Sequence, residues 1–406
     1  MKESLKALKE LLISDLTPRT EIYRRIAELK QKMASHHVSF SVILQNVDLL
    51  YFTGTTQKGV LIVPLNSDPL FFVEKSLDRA ALESPLEIIP VKGDRDIKNI
   101  LVEKHILKGK GGMEFDVIPV IVYERWKSLL GADDMVDISR LIKEIRLVKS
   151  EFEIEQIKRS GKIISKVFEK AKEAIREDMR EVDIAAIIES EGRIQGHQGF
   201  LRMRGLNQEM MNAYITHGYS ATIHSAGDVP ISGVGVTHAI PQGPSVNRVK
   251  RGIPLVIDYG GGYNGYITDE TRTFVVGKLQ DMFKKAFDVT REIVEDATEY
   301  GCEGKNGTDL YNRAFELVKR AKLEDFFMGY GEGKVSFIGH GLGLEINELP
   351  VITPRHSITL REGMVFAYEP KFIFPGKGAV GIEVDYIVRK DSLERVTDTS
   401  IDVVCV

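Results

Sequence analysis

Cysteine is nearly absent from this chain, with only Cys302 and Cys405 among 406 residues. Two thiols so far apart exclude a disulfide framework and fit a reducing compartment, with ordinary packing as the role of each. No uninterrupted run of about 18 apolar residues occurs, which excludes a hydrophobic membrane span. Neither sign of charge dominates, since 55 Lys and Arg face 59 Asp and Glu for a net charge of −4. With no basic tract, neither nucleic acid nor an anionic membrane is indicated as a partner. The N-terminal stretch MKESLKALKELLISDL sets Lys and Glu among its leucines and lacks the apolar centre of a signal peptide, so a cytoplasmic setting is expected.

What is present suffices for two domains, each with its own apolar core. Residues up to about 35 read as charged amphipathic helix, entered through a Thr-Pro start signal. Short β-branched and apolar runs follow: VSFSVILQ, NVDLLYFTG, KGVLIVPL and PLFFVE. Helical stretches are expected near 77–83 and 97–108, and GGMEFDVIPVIVYERWKSLLG supplies a further strand and helix. This pattern predicts an α/β domain over residues 1–147. Long helices with 3.6-residue periodicity follow at 150–176, 180–195 and 280–300, within a second, α+β domain over 148–406. The Lys/Glu runs on these helices read as solvated faces, and the methionines of LRMRGLNQEMMNAY as core filling, with a substrate-contacting surface as the alternative.

The chemistry concentrates in the last third. LVID runs through YGGGYNG into YITDETRTF, a hairpin with a Gly/Asn-rich turn at 262–265. A turn centred between Tyr263 and Asn264 sets Asp258 directly opposite Asp269, with no cation nearby in the sequence. MVFAYEPKFIF, PGKG and AVGIEVDYIV form a second hairpin, whose turn on Gly376 sets Glu369 opposite Glu383. Pro370 is expected to end regular pairing just after Glu369. Four carboxylates on two apolar hairpins raise one another's pKa and destabilise the fold unless positive charge sits among them. Divalent metal meets that need. Oxygen ligands with one imidazole, His340 of FIGHGLG, suit Mn, Co, Zn or Fe, and paired carboxylates suit two ions about 3.5–4 Å apart.

These segments resemble the pita-bread metallopeptidases, chiefly the Xaa-Pro aminopeptidases and Xaa-Pro dipeptidases, and more distantly the methionine aminopeptidases. In that family a strand Asp is followed eleven positions on by a second inside S/T-D-x-T-R-T, as Asp258 and the Asp269 of TDETRT are here. A GHG-x-G-L-E segment carries the ligand His, matching His340, and E-P with a later I-E matches Glu369 and Glu383. NVDLLYFTG and RLVKSEFEIEQIKRSG resemble the creatinase-like first domain and the entrance to the catalytic one. The resemblance implies a homodimer and a peptide or small-molecule substrate. It also implies cleavage before proline at a peptide N-terminus by water activated between two metals, with Glu369 shuttling the proton. His238, in GVTHAIPQG, resembles the family histidine that contacts substrate.

Two positions depart from the family pattern. Asn347 stands where a histidine assists the transition state, and Gly381 where an arginine holds the substrate end. Asn cannot titrate or carry charge, and Gly offers no side chain at all. The metal cage is intact while the substrate shell is altered. Two further readings remain open: a same-fold enzyme acting on a small C–N substrate without metal, as creatinase does, and a non-catalytic peptide-binding module.

Overall fold

The computed structural model describes residues 8, 10–12, 15–104, 109–131 and 134–406. The charged segment expected up to about residue 35 forms the helix Arg19–Ser35, while 1–7, 9, 13 and 14 lie outside the described residues. Likewise the helix expected over 97–108 is found at Asp94–Glu103, and 105–108 lie outside. Two compact units emerge: Met1–Arg146 with Arg204–Asn207, and Leu147–Met203 with Gln208–Val406. Among the described residues no helix is long and apolar enough to cross a membrane.

In the first unit, strands β1 (Phe40–Ile43), β2 (Gly59–Pro64), β3 (Leu70–Val73), β4 (Ile88–Pro90), β5 (Gly111–Met113) and β6 (Met135–Asp137) form one sheet in the order β4-β3-β2-β1-β5-β6. Its two central pairings are antiparallel and the flanking ones parallel. One apolar run departs from its neighbours: NVDLLYFTG is not a strand but the helix Asn46–Thr53. The Gln45 side chain accepts from the Val47 and Asp48 amides to start it, and Gly54 ends it in the left-handed conformation. Capping chemistry thus overrides the β-branched composition. The helix also delivers Asp48, fully buried, to ion pairs with Arg146 and Arg204 at 2.9 Å each.

The second unit opens on the helix Glu151–Ala174, where Ser150 and Glu153 form a reciprocal capping box. With Glu181–Ile194 it covers the sheet of β7 (Ala213–His217), β8 (Pro254–Tyr263), β9 (Tyr266–Val275) and the short strand Val404–Cys405: Ile163, Ile164, Val167 and Ile188 share a core with Ile257, Tyr259 and Phe274. The helices Asp281–Tyr300 and Gly307–Ala321 similarly cover a second set of strands, with Phe283, Ile293 and Leu310 packed against Phe366, Phe372 and Tyr386. Those strands are β10 (Gly339–Gly341), β11 (Glu348–Ile352), β12 (Val365–Tyr368), β13 (Lys371–Phe374), β14 (Gly378–Gly381), β15 (Val384–Val388) and β16 (Leu393–Arg395). They form a five-stranded sheet in the order β11-β10-β12-β15-β16 and the two-stranded ladder β13-β14, and these helix-covered sheets match the α+β architecture expected from the resemblance.

The register of the first hairpin corrects the sequence expectation. Asn264 and Gly265 both have positive φ, 51° and 86°, so the turn lies between them and Tyr263 pairs with Tyr266. Asp258 therefore faces Thr271, and Asp269 faces Gly260. The slip is two residues, so both carboxylates stay on one face of the sheet as diagonal neighbours. In the second hairpin the expected register holds. Lys371 pairs with Gly381 and Phe374 with Gly378, which places Glu369 and Glu383 opposite each other just beyond the ladder. Pro370 separates β12 from β13, and these belong to different sheets.

Candidate metal centre

Five side chains named from the sequence come from strands of three sheets or from the links between them. Asp258 and Asp269 stand on β8 and β9, His340 on β10, Glu369 between β12 and β13, and Glu383 between β14 and β15. β9 is stitched to the start of β15 at this point: the Glu383 amide donates to the Thr271 carbonyl at 3.0 Å, and the Asp269 amide to Asp385 Oδ2 at 2.9 Å. The Thr271 hydroxyl donates to Glu383 Oε2 at 2.8 Å, and Arg272 Nη1 to the Glu383 carbonyl at 2.7 Å. These contacts fix the carboxylates before any ligand arrives.

Asp269, His340 and Glu383 bring one donor atom each to within 4.8 Å of one another. His340 Nε2 lies 3.8 Å from Asp269 Oδ2, from Glu369 Oε1 and from Glu383 Oε1. That spacing is too long for hydrogen bonds. Asp269 Oδ1 and Glu383 Oε1 are buried with no hydrogen-bond partner, and an unpaired buried carboxylate oxygen is costly. Burial, with Glu383 and Asp258 nearby, pushes Asp269 well above the usual carboxylate range. Burial acts on Glu383 in the same direction, aided by Glu369 and Asp258 and opposed by Lys371. An imidazole ringed by carboxylate oxygens that lack a positive partner is a donor set that fits one divalent cation.

The other half of the cluster already holds a cation. Lys371 Nζ donates to Asp258 Oδ2 at 3.0 Å, to Glu369 Oε2 at 2.8 Å and to Glu383 Oε2 at 2.8 Å. The lysine side chain is only 2% exposed. Burial works against its charge, but the three carboxylates outweigh burial and hold it well above the ordinary lysine value. The sequence expectation gave the positive charge among these four carboxylates to divalent metal, and Lys371 supplies part of it. Lys371 is two residues from Glu369, and strand alternation puts such a pair on one face. That spacing was the signal that could have found it. Asp385, which orients the Asp269 amide, was also missed; it is two residues beyond Glu383 and signalled in the same way.

Of the remaining sequence candidates, only Gly381 packs against a member of this cluster in the contacts found among the described residues. His238 sits on an exposed loop, between Gly233 and Gly243, which form a backbone bridge. Among the described residues no hydrogen bond or ion pair joins it to the five. Asn347 is exposed, just before β11. Gly381 is buried directly across from Lys371, and a Cβ there would lie 2.5 Å from Lys371 Cγ. The missing side chain is the space that the lysine stem fills.

Comparison with known proteins gives two matching families, metallopeptidase family M24 over residues 155–390 and the creatinase/prolidase N-terminal domain over 25–148. An Xaa-Pro dipeptidase of Pyrococcus furiosus is 28% identical over 378 residues, covering 92% of this chain and 98% of that protein. The crystal structure of an X-Pro aminopeptidase from Thermotoga maritima superposes with a TM-score of 0.77 at 25% identity, covering 94% of this chain and 99% of that one. An Xaa-Pro dipeptidase from Bacillus anthracis shares the fold with a TM-score of 0.81 at 22% identity, over 95% of this chain and all of that one (100%).

Proposed function

Since the chain belongs to metallopeptidase family M24, with a creatinase/prolidase N-terminal domain ahead of its pita-bread unit, we propose that it is a metal-dependent hydrolase cleaving the bond before proline at a peptide N-terminus. The observation that carries this reading is the convergence of His340 with Asp269, Glu369 and Glu383 around carboxylate oxygens left without partners. A divalent ion bound there, Mn, Co, Zn or Fe, supplies a Lewis acid and lowers the pKa of water toward neutrality. Glu369 is the proposed general base. Its Oε2 accepts from Lys371 and its Oε1 lies on the His340 side, so the carboxylate is held beside the place where water would be activated. His238 enters as the substrate-facing residue, from its solvent-exposed loop. A homodimer in a cytoplasmic setting belongs to the same proposal; the resemblance implies two ions, and what fills the second cation position is taken up below.

The substrate end argues for peptides longer than two residues. Gly381 offers nothing to a free carboxylate, and all three N–H bonds of the Lys371 ammonium are already spent on carboxylates. The test is a panel of Xaa-Pro dipeptides, longer Xaa-Pro peptides and non-proline controls, assayed on protein whose bound metal has been measured. Failure of metal-bearing protein to cleave any Xaa-Pro peptide sinks the reading. A second reading draws support from Lys371 itself, because a built-in cation also suits the metal-free hydrolysis of a small C–N substrate. Activity that survives exhaustive chelation would favour it.

A further inference from the structure

We propose that Lys371 is a built-in cation occupying the second cation position of this centre, so that the site takes a single metal ion on Asp269, His340, Glu369 and Glu383, and Asp258 serves the lysine. The inference rests on the proposed function only for the presence of the one ion. Its basis is how the carboxylate oxygens divide. Glu369 and Glu383 each turn Oε1 toward His340 and Oε2 toward the ammonium. That is a bridging arrangement between two positive centres, one of which is already in the protein. An ammonium has three N–H donors and no acceptor. Here each donor has its own carboxylate oxygen, so the group is fully satisfied where it stands.

Three features hold it there. The side chain is buried, so release would expose a charged cavity rather than move a surface group. The stem lies against Gly381, the one residue type whose lack of a Cβ leaves it room. Asp258 offers its Oδ2 to the lysine, and it is absent from the three carboxylates, Asp269, Glu369 and Glu383, that lie 3.8 Å from His340 Nε2. Metal at the second position would have to displace a cation already bonded to the same oxygens. An ammonium carries one unit of charge and cannot coordinate water, so the second position neutralises and orients Glu369 and Glu383 without activating a nucleophile.

The test is metal stoichiometry, read without activity. The purified full-length chain is saturated with Mn²⁺, dialysed against metal-free buffer, and examined by elemental analysis and electron paramagnetic resonance. Wild type is expected to hold about one ion per chain with an uncoupled mononuclear spectrum, and Lys371→Ala about two with an exchange-coupled spectrum. Asp258→Asn should keep its single ion. Two ions in wild type would overturn the proposal and leave the proposed function standing. No ion in wild type would overturn both. One ion in both wild type and Lys371→Ala would show that the lysine fills no metal position. If Lys371→Ala does not fold, Asp258→Asn decides: loss of the ion from a variant with native circular dichroism makes Asp258 a metal ligand and ends the argument.

Discussion

Gly381→Ala should be far more damaging than its one added methyl suggests. The new Cβ would lie 2.5 Å from Lys371 Cγ and 3.3 Å from Lys371 Cβ, against a normal carbon contact of about 3.5–4.0 Å. Residues 371 and 381 are directly paired in β13 and β14, so the backbone cannot separate without breaking the hairpin. The lysine stem must turn away instead. That strips the ammonium from Asp258, Glu369 and Glu383. Removing one partner of a buried ion pair costs about 3–5 kcal/mol. Three bonds are lost here, but the freed carboxylates limit the penalty by taking up protons, so about 3–5 kcal/mol is expected for the whole change. Urea unfolding at neutral pH in chelator measures it. In a Lys371→Ala background, where the colliding Cγ is gone, the same substitution should cost under about 1 kcal/mol, giving a coupling energy of at least about 2–4 kcal/mol. Excess Mn²⁺ should restore part of the single variant's stability by entering the vacated position, about 2.7 kcal/mol at a hundredfold excess over Kd. Additive effects in the double-mutant cycle, or a loss below about 1 kcal/mol in chelator, would refute the fit between glycine and lysine.

Asp269→Ala removes a carboxylate at the His340 cluster and should abolish tight metal binding; elemental analysis showing an undiminished ion would take Asp269 out of the ligand set. Glu369→Gln should lower turnover by about 10²–10⁴-fold on whichever substrate is cleaved, and near-wild-type rates with metal still bound would remove Glu369 as the base. His217 is a pH probe remote from the donors: burial, then the charge of Lys250, pushes it down to about 4, and its Nε2 accepts the Lys250 amide at 2.9 Å, so the folded ring is neutral. A depressed folded pKa means that its contribution is complete above about 6.5 and is lost as the pH falls through about 4, up to about 3 kcal/mol; His217→Gln should flatten stability across that window, and an unchanged acid slope would count against it. Ser150→Ala deletes half of a capping box and should cost about 1 kcal/mol in thermal or urea unfolding, with no change in metal content.

The clustering of these carboxylates was legible because each sits in a segment whose local rules are strong. Alternating apolar strands, a Gly/Asn turn and a Gly-Lys-Gly turn bring Asp258, Asp269, Glu369 and Glu383 onto facing hairpins even with one register misjudged, since a slip of two residues leaves a side chain on the same face. A slip of one would have turned Asp269 away and hidden the site. The helix at Asn46–Thr53 was less legible, because its β-branched and aromatic residues suit a strand, and its start depends on the Gln45 side chain bonding two amides. His238 shows a different limit. A motif can suggest a substrate-contacting histidine, but the path of the loop from Gly233 to Gly243, set by the bridge between those glycines, decides where it stands.

Lys371 marks the deepest limit, and it follows from charge balance. Four carboxylates packed onto apolar hairpins demand positive charge, and that demand is readable from residue types alone. Who supplies it is not. A metal and a lysine satisfy the same requirement, and Pro370, read as a break in pairing, hid that residues 369 and 371 share a face. The choice is settled by packing at the opposite strand, where an arginine or any other side chain at 381 would collide with the lysine stem. The departure at Gly381 and the cation at Lys371 are therefore one change seen from two strands. Returning Gly381 to arginine alone should disrupt the centre rather than restore dipeptide binding, and only replacement of Lys371 by a residue without a stem makes room for it.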